Sequence, residues 1–246
     1  MKVSLYTDLA SELTGAAGAP RPGTLKLSEI VLDKEQAARY RKAEGKYVTA
    51  ETDVLTGGAD ERKRHRLAVA LADVMRAMLP DAGKVLIVGL GNAGLTADAL
   101  GGRVCAGIPA GGRAMTLVPG VFGMTGVESF DVVKGVTERT RPAAIVAVDS
   151  LAAASTQRVG RVVQISDAGI TPGSGVSNHR GRLGRETLGV PVISVGVPLV
   201  VYASTIIRDA GGDESGFESL IVTPKDIDVI VAESAEVIAR SILRAL

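Results

Sequence analysis

Three aspartates stand where an α/β chain places its chemistry. Asp98 follows the apolar run Val85–Val88 and the stretch Gly89-Leu90-Gly91-Asn92-Ala93-Gly94; Asp149 follows Ala143–Val148; Asp167 follows Val162–Ser166. In open α/β sheets, sites form outside the carboxyl ends of the strands, so these carboxylates are expected on one rim. Each could equally cap a following helix or turn, a role Asp fills readily. Two carboxylates brought close together resist ionising at once, so one keeps its proton. The ionised member can draw a proton from water while the protonated one supports a carbonyl oxygen. This chemistry requires no histidine, cysteine or metal, and the chain is poor in the first two: His65, His179 and a single Cys105.

Other motifs read more weakly. Gly89 to Gly94 spells GxGxxG, but a dinucleotide site also requires an acid ~20 residues on, at the end of the next strand. The next apolar run, Ala114–Val118, ends in Pro119-Gly120 instead. Ser174 sits between glycines with His179 close behind, yet Gly-x-Ser-x-Gly is absent and no acid is placed to orient the histidine. That segment reads as a turn with a surface histidine. Cys105 has no histidine nearby and reads as a small buried hydrophobe. His65 lies among Arg62, Lys63, Arg64 and Arg66, most simply a solvated helix face. A lone cysteine excludes an internal disulfide framework and a cysteine-based zinc site. No cofactor and no metal are expected.

The elements that must position these residues follow from composition and pattern. The chain has 246 residues, 46% hydrophobic and 22% charged, a globular balance, and with 3% aromatics and no Trp its core must be aliphatic. A net charge of +1 gives no polybasic field, so nucleic acid is not an expected direct partner. The N-terminus has no apolar h-region and no apolar stretch reaches ~18 residues, so a cytoplasmic protein with no membrane contact is expected. Short apolar runs at 84–92, 114–118, 143–150, 161–167 and 190–197 read as buried parallel strands. Residues 47–55 alternate as a further strand would. Leu67, Leu71, Val74, Met75 and Met78 share one face of a helix ending before Pro80. Residues 126–140 and the tail from Pro224, with Thr223 as N-cap, also read as helices. Residues 1–24 read as a loop-rich arm. Strands alternating with helices predict an α/β fold, a three-layer α/β/α sandwich with a mostly parallel sheet, as a single domain over 1–246.

Larger blocks resemble a known family. Val88-Gly89-Leu90-Gly91-Asn92 followed by Thr96-Ala97-Asp98-Ala99-Leu100-Gly101 resembles the VGLGN…TPDALGP signature of the spore germination proteases. Residues 119–128 are close to that family's PGVMGLTGIE, and 147–152 to its AIDALAA. Residues 164–176 nearly repeat QISDTGIHPGSGV, and 186–192 match ETLGIPV. Thr7-Asp8-Leu9-Ala10 matches TDLA near one end, and residues 222–228 match VTPKEID near the other. The likeness runs almost end to end, in order.

The resemblance implies an atypical aspartic endopeptidase that degrades small acid-soluble spore proteins at germination, in the spore core. By motif, the family's catalytic aspartates fall on Asp98 and Asp149. Asp8, Asp167, Asn92 and Ser174 lie in family motifs as supporting candidates. The implied fold is similar to that of hydrogenase-maturation endopeptidases, and the implied assembly is a homo-oligomer. Family members are zymogens with an N-terminal prosegment. Only Met1 to Tyr6 precede the TDLA motif here, so activity without proteolytic maturation is expected. Ala97 and Gly102 stand where the family has proline, and the segment between Asp98 and residue 119 is shorter than usual. Two alternatives accompany this reading: a metal-dependent, hydrogenase-maturation-like endopeptidase, and a non-catalytic sporulation protein that keeps the fold.

Overall fold

Continuous aliphatic runs have no polar face to turn to water, so they become strands covered on both sides. The computed structural model describes residues 7–15, 25–172, 181–217 and 219–246. Among these residues the strands are β1 Lys26–Leu32, β2 Gly45–Glu51, β3 Val85–Gly89, β4 Ala114–Leu117, β5 Ala144–Ala153, β6 Val162–Ser166, β7 Val192–Tyr202 and β8 Ile221–Val222. The helices are α1 Ala10–Leu13, α2 Lys34–Tyr40, α3 Glu61–Arg76, α4 Leu100–Ala106, α5 Phe122–Thr125, α6 Ser129–Thr140, α7 Arg185–Leu188, α8 Ala203–Asp209 and α9 Ile227–Ala245.

The strands form one sheet in the order β1-β2-β6-β7-β5-β3-β4, with β8 added beside β7. The block β4-β3-β5-β7 is parallel. β6 runs antiparallel to both β7 and β2, and β1 and β8 also pair antiparallel. The sheet is therefore mixed, and its parallel block is the part that carries the candidate chemistry. Side chains alternate between its faces. Val85, Ile87, Val146, Val148, Ile193 and Val195 pack under α3, α4 and α9. Leu86, Val88, Ile145, Ala147 and Val192 pack under α6 and α7.

Helix α3 buries Leu67, Leu71 and Met75, as its spacing predicts, and Asp60 caps it by accepting the Lys63 N–H at 2.8 Å. The final helix starts at Ile227 rather than Pro224, and Thr223 is not its cap: its hydroxyl donates to the Leu199 carbonyl at 3.1 Å. The strand expected over 47–55 stops at Glu51, and Val54–Thr56 forms a 3-10 turn. The N-terminal arm contains α1. Among the described residues, no helix is long and apolar enough to cross a membrane.

Candidate active site

The glycine-rich stretch after β3 is a mount for Asp98. Leu90 N–H donates to the Val148 carbonyl of β5 at 2.8 Å, tying the loop to the neighbouring strand. The chain then doubles back: Gly94 N–H donates to Asn92 Oδ1 at 2.9 Å, and Asp98 N–H donates to the Leu95 carbonyl at 2.8 Å. Asn92 N–H reaches Asp98 Oδ2 at 2.7 Å, so the backbone of Asn92 fixes the carboxylate. Two glycine positions make this geometry accessible. Gly91 has φ +97°, and a Cβ there would lie 2.2 Å from the Asp98 carbonyl oxygen and 2.7 Å from its Oδ1. Gly101, at the start of α4, packs against the backbone of Leu90 and Val148, at 2.4 and 2.6 Å from where its Cβ would be. The motif that spells a dinucleotide fingerprint thus serves close backbone packing around a carboxylate.

Gly91→Ala is expected to lose activity and stability together. The backbone conformation disfavours any L side chain, and the methyl group must displace Asp98. The expected cost is about 1–3 kcal/mol in urea unfolding, with a fall on the order of 10²-fold in any turnover that uses Asp98, the scale of a 1 Å misplacement. Wild-type turnover in the folded variant would show that Asp98 requires no such mount.

Asp149 lies inside β5 rather than at its end. β3 stops at Gly89, paired with Val148, while β5 continues beside β7 to Ala153, with a register shift at Leu151/Ala152. Asp149 thus stands one residue beyond the end of its shorter neighbour. By the two-residue alternation it shares a face with Ile145 and Ala147. Its partner on β7 is Gly196, which in turn pairs with Gln164 of β6. Asp149 is only 8% exposed, and its Oδ1 accepts the Ser150 N–H at 2.9 Å. Burial, then the charges of Asp98 and Asp8, hold its carboxyl well above the usual carboxylate range; the Ser150 N–H opposes them.

The third carboxylate of the site is Asp8. The N-terminal segment crosses β5: Asp8 N–H donates to the Ala152 carbonyl at 2.9 Å, and Ala152 N–H donates to Asp8 Oδ2 at 2.8 Å. Gln164 secures the same segment, accepting the Ala10 N–H at 2.8 Å and donating to the Asp8 carbonyl at 3.1 Å. Beneath it is a buried ionic cluster. Arg158 lies 3.2 Å from Glu51 and 3.7 Å from Glu12 and donates to Ser11 Oγ at 3.0 Å. Asp8, Asp98 and Asp149 line one cavity of about 1030 Å³, together with Arg41, Lys42, Tyr47, Gln164, Arg182, Leu95, Val121, Tyr202 and Ile221. A shallower hollow of about 690 Å³ on α3, beside Arg62, His65 and Arg66, lies away from the aspartates.

The expectation that Asp167 joins this rim is corrected. β6 runs antiparallel to β7, so its carboxyl end points the other way. Asp167 is exposed, and its Oδ1 accepts the Lys46 N–H at 2.7 Å, closing the start of β2. Asn92 contributes through its backbone N–H and its turn. Ser174 and His179 lie outside the described residues. Cys105 is buried, with its thiol pushed up to about 11 by burial, in keeping with a packing role. Arg64 of the basic run is spent on Glu233, at 2.6 and 2.8 Å. Lys42, Arg182 and the Glu12–Arg158–Glu51 cluster escape sequence reasoning, since nothing in their spacing relates them to the aspartates. Among the described residues, no group of three or more His, Cys, Asp or Glu is placed to hold a metal ion.

Residues 18–212 match a family model described as germination protease. The chain is 32% identical to the germination protease of Clostridium perfringens (strain 13 / Type A), covering 90% of this chain and 84% of that one. It is 38% identical to the germination protease of Priestia megaterium, over 84% of this chain and 66% of that one. For the Bacillus subtilis (strain 168) germination protease the identity is 38%, over 76% and 56% of the two chains. Among solved structures, a [NiFe] hydrogenase maturation protease, HycI, from Thermococcus kodakarensis KOD1 aligns at a TM-score of 0.45 and 20% identity, covering 69% of this chain and 99% of that one.

Proposed function

The chain belongs to the germination protease family, and we propose that it is an endopeptidase that hydrolyses small acid-soluble spore proteins during germination, with Asp98 and Asp149 as its catalytic pair. The observation that carries this reading is the burial of Asp149 in the cavity it shares with Asp98 and Asp8. Crowded carboxyls out of water keep a proton among them. In the proposed reaction Asp149 is the protonated member and hydrogen-bonds to the scissile carbonyl oxygen. Asp98, held by the Asn92 N–H, is the ionised member and takes a proton from the attacking water. The water oxygen bonds to the carbonyl carbon, and the proton from Asp149 passes to the developing oxyanion. In collapse, the C–N bond breaks, the proton on Asp98 moves to the leaving nitrogen, and a hydroxyl proton returns to Asp149. The products are a carboxylic acid and an amine, and both aspartates regain their starting states.

The cavity wall also bears on substrate choice. Arg41 and Arg182 line it near Tyr47, with Arg182 held in an ion pair by Glu186. The family resemblance implies cleavage next to glutamate, which the Arg41 cation on the wall would suit, and an open cavity suits an extended chain. The test is to incubate the protein with a small acid-soluble spore protein, with and without chelator, and map the cut bonds. Discrete cuts beside glutamate, unaffected by chelator, are expected. Replacing that glutamate with glutamine should lower kcat/KM by roughly 10- to 100-fold, the scale of a lost charge-assisted hydrogen bond. Equal digestion of any unfolded protein would contradict the selectivity. Activity lost in chelator and restored by metal would replace the carboxylate pair with metal chemistry.

A further inference from the structure

Lys42 is a mostly buried lysine in the cavity wall for which the proposed reaction has no step. Its entry is built by an unusual backbone. The last turn of α2 ends on Arg41 at φ 53°, a left-handed conformation that a residue other than glycine, asparagine or aspartate rarely adopts. Arg41 N–H closes on the Ala37 and Ala38 carbonyls, and Lys42 N–H on Ala37 at 2.9 Å. The lysine side chain, 17% exposed, then donates from Nζ to the Thr7 carbonyl at 3.0 Å and stands 4.0 Å from Asp8 Oδ1. Asp8 is therefore held from two sides, by the β5 backbone at Ala152 and by the ammonium. Burial lowers the lysine's own pKa, while the charges of Asp8 and then Glu12 push it back up. Long, flexible and desolvated, a lysine used only to anchor a carbonyl could be replaced by a neutral donor. A charge held at this place also acts on the carboxylates.

We propose that Lys42 is a positioning residue of the carboxylate site: its ammonium holds Asp8 and the N-terminal segment on β5 and offsets part of the negative charge that the catalytic pair experiences. This rests on the carboxylate-pair reading above. The charged or titratable groups that face the cluster are Asp8 and Glu12 from the N-terminal segment, Arg158 beneath Glu12 with its partner Glu51, Asp98 and Asp149 from the β3 loop and β5, and Arg41, Tyr47 and the Glu186-paired Arg182 on the wall. Removing a positive charge from such a cluster makes every carboxyl in it hold its proton more tightly. Both limbs of the pH–rate profile must then move to higher pH.

The test is the pH dependence of kcat/KM on a cleavable peptide for wild type, Lys42→Met, Lys42→Arg, Asp8→Asn and the Asp8→Asn/Lys42→Met double variant, with Asp149→Asn as the inactive reference. Lys42→Met should move both limbs upward by about half a pH unit or more, and Lys42→Arg should keep the wild-type limbs. In the Asp8→Asn background, where one negative charge is already gone, the lysine change should again move both limbs upward. A folded Lys42→Met enzyme with wild-type limbs, whatever its rate, would overturn the proposal, as would limbs that move to lower pH. If Lys42→Met does not fold, the double variant carries no unpaired Asp8 charge. Its profile, compared with that of Asp8→Asn, then decides: limbs displaced to higher pH support the proposal, coincident limbs overturn it. A wild-type protein that cuts no peptide, or an active Asp149→Asn, would instead overturn the carboxylate-pair reading and the proposal with it.

Discussion

Asp149→Asn and Asp98→Asn should each lower peptide cleavage by about 10²–10⁴-fold, the range for losing a general acid or base, while the circular dichroism spectrum stays that of the wild type. An amide neither releases nor accepts the proton that must move. The two variants should nevertheless differ in stability. Asp149 is buried beside Asp98 and Asp8, which raises its folded-state pKa above that of the unfolded chain. Such a group favours folding fully only below the unfolded carboxylate pKa, about 3.9. As pH rises from there through the folded-state pKa, the unfolded chain releases a proton that the folded one retains, and stability falls. Asparagine cannot ionise, so Asp149→Asn should melt higher than wild type at pH 7–8, with the two melting curves converging near pH 4. A variant that is inactive, yet less stable than wild type at neutral pH, would show that burial of this carboxyl carries no electrostatic penalty. Near-wild-type cleavage by either variant would dismiss the pair.

The largest structural effect is expected at Arg158. Its side chain is 3% exposed, and those of Glu12 and Glu51 are each 6% exposed. Glu12 also receives the Ala154 N–H at 2.8 Å and the Thr7 hydroxyl. The cluster therefore joins the N-terminal segment, β2 and the end of β5. Arg158→Met leaves two carboxylates without their cation in a desolvated place, and breaking a buried pair this way costs roughly 3–5 kcal/mol. Urea unfolding should register that loss, and adding Glu12→Gln and Glu51→Gln should recover much of it by removing the stranded charges. Because Asp8 sits on the same segment, cleavage by Arg158→Met should also fall, even at temperatures where the sheet remains folded. A loss below about 1 kcal/mol, typical of exposed ion pairs, would show that the cluster is hydrated in solution.

Much of the candidate site is legible in sequence because it is local. The apolar run Val85–Gly89, the glycines at 89, 91 and 101, and Asp98 lie in one short stretch of chain, and the close approach of Gly91 to Asp98 that requires glycine there is a short-range demand. The same holds for Asp149, whose strand is an aliphatic run with one polar interruption. The aliphatic core, the face of α3 and the parallel block of strands follow from periodicity, which every residue carries in its own side chain. Strand direction is different. β6 looks like its parallel neighbours, yet it runs antiparallel to β7 and takes Asp167 to the other rim. No local property of Val162–Ser166 encodes that, because direction is set by which distant strand supplies the hydrogen bonds. Asp8 and Lys42 reach the cavity through contacts 144 and 35 residues apart in sequence. The protonation of Asp149 depends on burial and on two charges from other segments. The chain itself specifies which carboxylates are available and which strands display them. The tertiary structure decides which of them share a desolvated cavity, because desolvation and charge coupling exist only once distant segments are packed together.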